Sequence, residues 1–142
     1  MSLLVEEESR RVVLQGIYFV VEGRIDDLMA LGAPDATWWI SGLKETSPLT
    51  GTQPYADREK QLRELFKDSI SVAFTIRGIT TEGDTVIVEG APRVEKKDGR
   101  VYANDVMLKF VVKDGKIQSV REYVDLFPVL KFMGSEAFQG DE

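Results

Sequence analysis

Glu122 stands between two valines in the stretch Val120-Arg121-Glu122-Tyr123-Val124. If that stretch is a strand, Val120, Glu122 and Val124 share one face, and Arg121 and Tyr123 share the other. A carboxylate so placed is either a charge on an exposed face or an acid inside a pocket. In a pocket, apolar surroundings would suit it to general acid–base chemistry. The flanking sequence supports the strand. Val101 to Val112 has a strand-like pattern, Lys113-Asp114-Gly115-Lys116 interrupts it, and it resumes from Ile117 to Asp125. Two β-rich runs around an Asp-Gly predict an antiparallel hairpin.

The rest of the chemical inventory is narrow. The chain has 142 residues, no histidine and no cysteine. This removes the usual base near neutral pH, the commonest neutral metal ligand, thiolate nucleophiles and disulfides. Proton transfer is left to Asp, Glu, Tyr, Lys or water. An all-carboxylate Mg²⁺ or Ca²⁺ site is chemically open, but neither a calcium loop nor a carboxylate cluster stands out. No metal or cofactor is expected. Gly99 and Gly115 sit in turn sequences, and neither the Walker nor the Rossmann glycine pattern occurs.

Composition bounds the partners. The formal charge is −6 and the pI about 4.8. Basic residues are interspersed with acids, so a phosphate-backbone partner is not expected. The hydrophobic fraction of 43% suits a packed core. No apolar run approaches the roughly 18 residues that would span a bilayer. Met1 to Glu8 lacks the basic start and long apolar stretch of a signal peptide. The expected location is cytoplasmic.

The elements that must position Glu122 follow from periodicity. Residues 7 to 22 concentrate Val12, Val13, Gly16, Ile17, Phe19 and Val20 at helical spacing, with Gly23 as a stop. Ile25, Leu28, Met29 and Leu31 suggest a short second helix, closed by Pro34. Ala36 to Ile40 looks like a strand. Ser41 to Pro54 reads as a loop, a plain connection or a ligand entrance. Leu62, Leu65 and Phe66 give an apolar face to a third helix over Asp57 to Lys67, with Asp57 as its cap. Ile70, Val72, Phe74 and Ile76 alternate as a strand. A turn region runs from Gly78 to Asp84, then a strand from Thr85 to Ala91. Pro92 marks an edge, bulge or strand end. Helices first and strands after predict an α+β fold. The expected division is an N-terminal extension over 1–8, one domain over 9–132 and a tail over 133–142.

In this order the sequence resembles the nuclear-transport-factor-two-like superfamily, in its ketosteroid-isomerase-like and polyketide-cyclase-like (SnoaL-like) branch. The resemblance rests on Glu22-Gly23-Arg24, Asp35-Ala36-Thr37-Trp38, Pro48-Leu49-Thr50-Gly51 before Asp57-Arg58-Glu59, Tyr102-Ala103-Asn104-Asp105, and Asp114-Gly115-Lys116-Ile117 followed by Val120 to Asp125. It implies a cone-shaped roll, in which a strongly curved, mostly antiparallel sheet packs against three N-terminal helices around an apolar pocket. It also implies a homodimer and a small apolar organic ligand.

The same resemblance allows a check of positions. The isomerase base falls at Ile40, its oxyanion tyrosine near Gly16 with Tyr18 offset, and its oxyanion aspartic acid near Val106. The epoxide-hydrolase Arg–Asp pair falls on Gly90 and Pro92, and its second aspartate on Glu122. The cyclase histidine has no counterpart. The resemblance places Glu122, Asn104 and Tyr18 as candidate catalytic groups. Trp38, Ile40, Tyr55, Val106, Leu108, Val120 and Val124 become candidate ligand contacts. Isomerisation, hydration or dehydration, epoxide hydrolysis and cyclisation stay open. So does a non-catalytic role as a ligand-binding or protein-interaction module.

Overall fold

The computed structural model describes residues 3–134. In chain order the elements are α1 (Leu3–Val21), α2 (Ile25–Ala30), β1 (Gly32–Ile40), β2 (Gly51–Pro54), α3 (Arg58–Phe66), β3 (Ser69–Glu82), β4 (Thr85–Lys96), β5 (Val101–Ala103), β6 (Val106–Lys113), β7 (Lys116–Val124) and α4 (Leu126–Met133). A 3₁₀ turn, Tyr55–Asp57, leads into α3. The first helix begins at Leu3, inside the stretch expected to be an extension. Of the expected C-terminal tail, residues 135–142 lie outside the described residues.

The α+β class stands, but the expected roll does not. Only α1 and α2 precede the sheet; α3 follows β2 and α4 ends the described chain. The strands form an open path, β2-β1-β7-β6-β4-β3, with β5 beside β4. No pairing joins β2 to β3, so the sheet is open rather than a strongly curved roll. It is also mixed, because β1 runs parallel to β7 while the other pairs are antiparallel. Sequence reading missed the parallel pair because it lies 82 residues apart in the register Trp38↔Val120, beyond any local pattern.

The Asp-Gly hairpin forms where the sequence predicts it. Lys113 faces Lys116, and Asp114 and Gly115 take φ of 52° and 73°. Two successive positive φ values match the right-handed twist of the flanking strands. One step further the ladder slips. Val111 pairs Ser119 and Val112 pairs Ile117, leaving Gln118 as an extra residue. This bulge fixes the phase of β7. Ile117 and Val120 are both buried although three residues apart, and Glu122 then falls on the inner face.

Similar irregularities explain other differences from the sequence pattern. Shifts between Ser69 and Ser71 and between Ile76 and Gly78 bracket the middle of β3. Val72 and Phe74 therefore face inward, while Ile70 and Ile76 are exposed. The expected turn region after Gly78 is strand as far as Glu82, and part of the expected loop is the short strand β2. Pro92 sits inside β4, opposite Phe74. On its other side β5 and β6 are interrupted at Asn104-Asp105, between the pairs Arg93↔Ala103 and Gly90↔Val106. Proline has no N–H to give the ladder there.

The main core lies between α1 and the inner sheet face. Val12, Val13, Val86, Val88, Val112, Ile117 and Val120 pack in it almost without solvent exposure. Each such side chain contributes about 1.5–3 kcal/mol. This core fixes the sheet that carries Trp38 and Glu122.

Candidate active site

Glu122 is the carboxylate of an otherwise mainly apolar cavity. The cavity holds about 120 Å³. Gly16, Ile17 and Val20 of α1 line it, with Leu28 of α2, Leu62, Leu65 and Phe66 of α3, and Phe74, Val106, Leu108 and Phe110 of the sheet. The β7 bulge turns Glu122 toward this space, and the parallel register sets Ile40 beside it and Trp38 one inward position back.

Two groups hold the carboxylate. The Trp38 indole Nε1–H donates to Glu122 Oε1 at 3.0 Å. The Arg58 Nη2 lies 3.6 Å from the same oxygen, with only 9% and 15% of the two side chains exposed. At that distance the contact is a charge pair without a direct hydrogen bond. The Arg58 guanidinium also stacks on the Trp38 ring, 4.8 Å from its centroid. Burial lowers the Arg58 pKa, and the charge of Glu122 opposes that shift.

Arg58 is fixed from behind. Its Nη1 donates to Gln61 Oε1 at 2.6 Å, Gln61 Nε2 donates to Gln53 Oε1 at 2.9 Å, and Gln53 Nε2 donates to the Leu49 carbonyl at 3.4 Å. Its Nε–H is buried and has no partner among the described residues. That is a costly state for a donor unless a bound group relieves it.

Tyr102 and Tyr55 complete the polar wall. The Tyr102 hydroxyl accepts from Asn104 Nδ2 at 3.0 Å. Burial raises the Tyr102 pKa; the Asn104 bond opposes this, as does Arg58, while Glu122 adds to it. The Tyr55 hydroxyl donates to the Leu28 carbonyl at 2.7 Å, and burial raises its pKa too. Its ring lies 5.6 Å from that of Trp38. Gly32 makes room for it, since a Cβ there would come within 2.4 Å of the ring.

A second cavity of about 40 Å³ adjoins the first. Ile40, Leu49, Gln61, Val124 and Val129 line it, and Arg58, Leu65, Tyr102 and Glu122 line both. The polar groups thus form the shared wall. Helix α4 supplies Val129, and its first turn is held by Asp125, which accepts from Phe127 N at 3.1 Å.

The candidates from sequence divide as follows. Glu122, Trp38, Tyr55, Val106 and Leu108 line the larger cavity, and Ile40 and Val124 the smaller. Val120 is buried in the core and lines neither. Asn104 lines neither cavity; its amide is spent on Tyr102 and on the Asp125 carbonyl, so it positions Tyr102. Tyr18 is 52% exposed. Gly16, Ile17 and Val20 take the cavity side of α1, and helical geometry turns Tyr18 away. Trp39 faces outward, under Arg121 at 3.8 Å and beside Tyr123.

Sequence reading missed Arg58 and the pocket role of Tyr102. Asp57-Arg58-Glu59 looks like a solvated helix start. The available signal was spacing: Arg58, Leu62, Leu65 and Phe66 fall at i, i+4, i+7 and i+8, on the buried stripe. Among the described residues, no three His, Cys, Asp or Glu side chains group to hold a metal ion, and no helix is long and apolar enough to cross a membrane.

Comparison with known proteins agrees with this architecture. The family model of the SnoaL-like domain matches residues 14–120. No curated protein matches the sequence. Among solved structures, an M. tuberculosis LEH-like epoxide hydrolase is 19% identical, with a TM-score of 0.70 over 90% of each chain. An NTF2-like protein from Burkholderia xenovorans is 23% identical, with a TM-score of 0.66 over 91% of this chain and 98% of its own. PrhC from Penicillium brasilianum is 12% identical, with a TM-score of 0.78 over 94% of this chain and 90% of its own. At these identities the likeness shows the NTF2-like fold and carries no activity with it.

Proposed function

We propose a function from the premise that the chain belongs to the SnoaL-like domain family: it is an acid–base enzyme acting on a small, mostly apolar organic molecule without a cofactor. One observation carries this reading. Glu122 is the carboxylate of a mainly apolar cavity, and Trp38 and Arg58 hold it there. A carboxylate fixed in position at a cavity wall can serve as a general base, and a positioned base is worth about 10²–10⁴-fold in rate. Trp38 and Arg58 orient Glu122, and Tyr102 borders the reacting space. Isomerisation, hydration or dehydration, epoxide opening and cyclisation all use one such proton transfer.

A second reading, a binding module without turnover, has its own support. The positions matched to the isomerase base and to the hydrolase Arg–Asp pair hold Ile40, Gly90 and Pro92. The two readings separate in one experiment. The purified protein is assayed against a panel of small cyclic ketones, enones, epoxides and tertiary alcohols, with binding and conversion followed by NMR. Conversion supports the enzyme. Saturable binding of panel members with no conversion supports the module.

We further propose a cytoplasmic homodimer formed from single domains over 9–132. The outer sheet face, where Met107 and Tyr123 stay partly exposed beside Trp39, is the pairing surface. Light scattering at micromolar concentration should give twice the 16.0 kDa chain mass; a monomer mass refutes the dimer.

A further inference from the structure

We infer that Arg58 is the specificity-determining anchor of the cavity, and that its ligand is a neutral molecule of about one ring's size carrying an acceptor oxygen. The inference rests on the acid–base reading for its use, but on separate observations for its content. Four side chains of the larger cavity show where a donor is left over. The Trp38 N–H is taken by Glu122 and the Tyr55 O–H by Leu28. The Tyr102 oxygen accepts from Asn104, so its own hydrogen is left to donate. Arg58 Nε–H is buried without a partner. Arg58 and Tyr102 both stand on the wall that the two cavities share, and each keeps a hydrogen without an acceptor. A ligand oxygen is what both lack.

Charge selects the kind of oxygen. Arg58 and Glu122 are a cation and an anion that balance each other inside the protein. A neutral carbonyl, ether or epoxide oxygen keeps that balance. A ligand carboxylate would bring a second negative charge beside Glu122 in a poorly solvated space, which is strongly unfavourable. A pure hydrocarbon would leave the Arg58 donor unmet. Volume selects the size. The 120 Å³ of the larger cavity is close to the roughly 150 Å³ that suffices for a benzene-sized guest. The 40 Å³ beyond the polar wall is close to the roughly 30 Å³ that one water occupies in the liquid. The Arg58–Gln61–Gln53 chain of hydrogen bonds fixes the anchor in advance, so little ordering is left to the moment of binding.

The test uses non-reacting probes and so does not depend on turnover. Cyclohexanone, methylcyclohexane and cyclohexanecarboxylate are matched in size and differ in oxygen and charge. Each is titrated into ¹⁵N-labelled protein while the Arg58 Nε–Hε resonance, assigned by its loss in Arg58→Lys, is followed. Cyclohexanone should bind saturably and move that resonance downfield. Methylcyclohexane should leave it nearly in place, and the carboxylate should not compete. Arg58→Lys keeps the charge and removes the Nε–H. It should weaken cyclohexanone by about tenfold or more, the low end for a hydrogen bond to a charged group, and change methylcyclohexane less than about twofold. Saturation by cyclohexanone with a stationary Arg58 resonance overturns the inference, and so does failure of cyclohexanone to bind. Tighter binding of the carboxylate also overturns it. If the resonance moves as stated but no substrate is ever converted, the anchor stands and the enzyme reading falls.

Discussion

Replacing Arg58 with methionine isolates the energetics of the site. The change keeps most of the apolar stem and removes the cation that faces Glu122 at 3.6 Å. Glu122 is 15% exposed at its side chain and keeps the Trp38 hydrogen bond. Removing one partner of a buried pair costs about 3–5 kcal/mol. Urea unfolding of wild type and Arg58→Met at pH 7 reads this directly, and the gap should be about 3–5 kcal/mol. Adding Glu122→Gln to the variant should recover most of that loss, because no stranded charge remains. A gap below about 1 kcal/mol, or one that Glu122→Gln does not relieve, refutes the buried pair.

Two further outcomes follow from the same geometry. Burial raises the pKa of Tyr55, so its contribution to stability is complete below the unfolded value near 10 and falls as pH rises beyond it. Tyr55→Phe should therefore be less stable than wild type at pH 7, by about 1 kcal/mol for the lost bond to Leu28, yet lose less stability than wild type between pH 10 and pH 11. At Gly90 an added Cβ would lie 2.3 Å from the Phe74 ring. Gly90→Ala should cost about 1–3 kcal/mol in urea unfolding and weaken cyclohexanone binding, because Phe74 must shift within the cavity wall; a neutral change would mean that the ring is loosely held.

Local chemistry made some of the molecule legible in the sequence. Asp114-Gly115 specified its turn because both residues tolerate positive φ, and the valines around Glu122 specified a strand but left open whether the carboxylate faced a pocket or solvent. The stripe of Val12, Val13 and Ile17 specified the core face of α1. What stayed hidden depends on residues that meet only in three dimensions. The parallel pairing of β1 with β7 has no local signature, and without it Trp38 and Glu122 cannot be brought together. The bulge at Gln118 is one residue in a run that reads equally well without it. Arg58 went unread because only its spacing from Leu62, Leu65 and Phe66 marks it as part of a buried stripe. Tyr18 looked like a pocket group because a resemblance offset by two positions on a helix moves a side chain to another face. The expected roll with three leading helices failed for the same reason, since α3 enters only after β2.

The central claim is that Glu122 moves a proton on a molecule held in the cavity. Its most direct test is the conversion rate of a panel substrate by Glu122→Gln relative to wild type, with both proteins shown to fold by their unfolding midpoints. The substitution keeps the size of the side chain and an acceptor for Trp38 but removes the basic carboxylate. The account predicts a fall of about 10²-fold or more while the variant stays folded and still binds cyclohexanone. Conversion within a few-fold of wild type by the folded variant would contradict it.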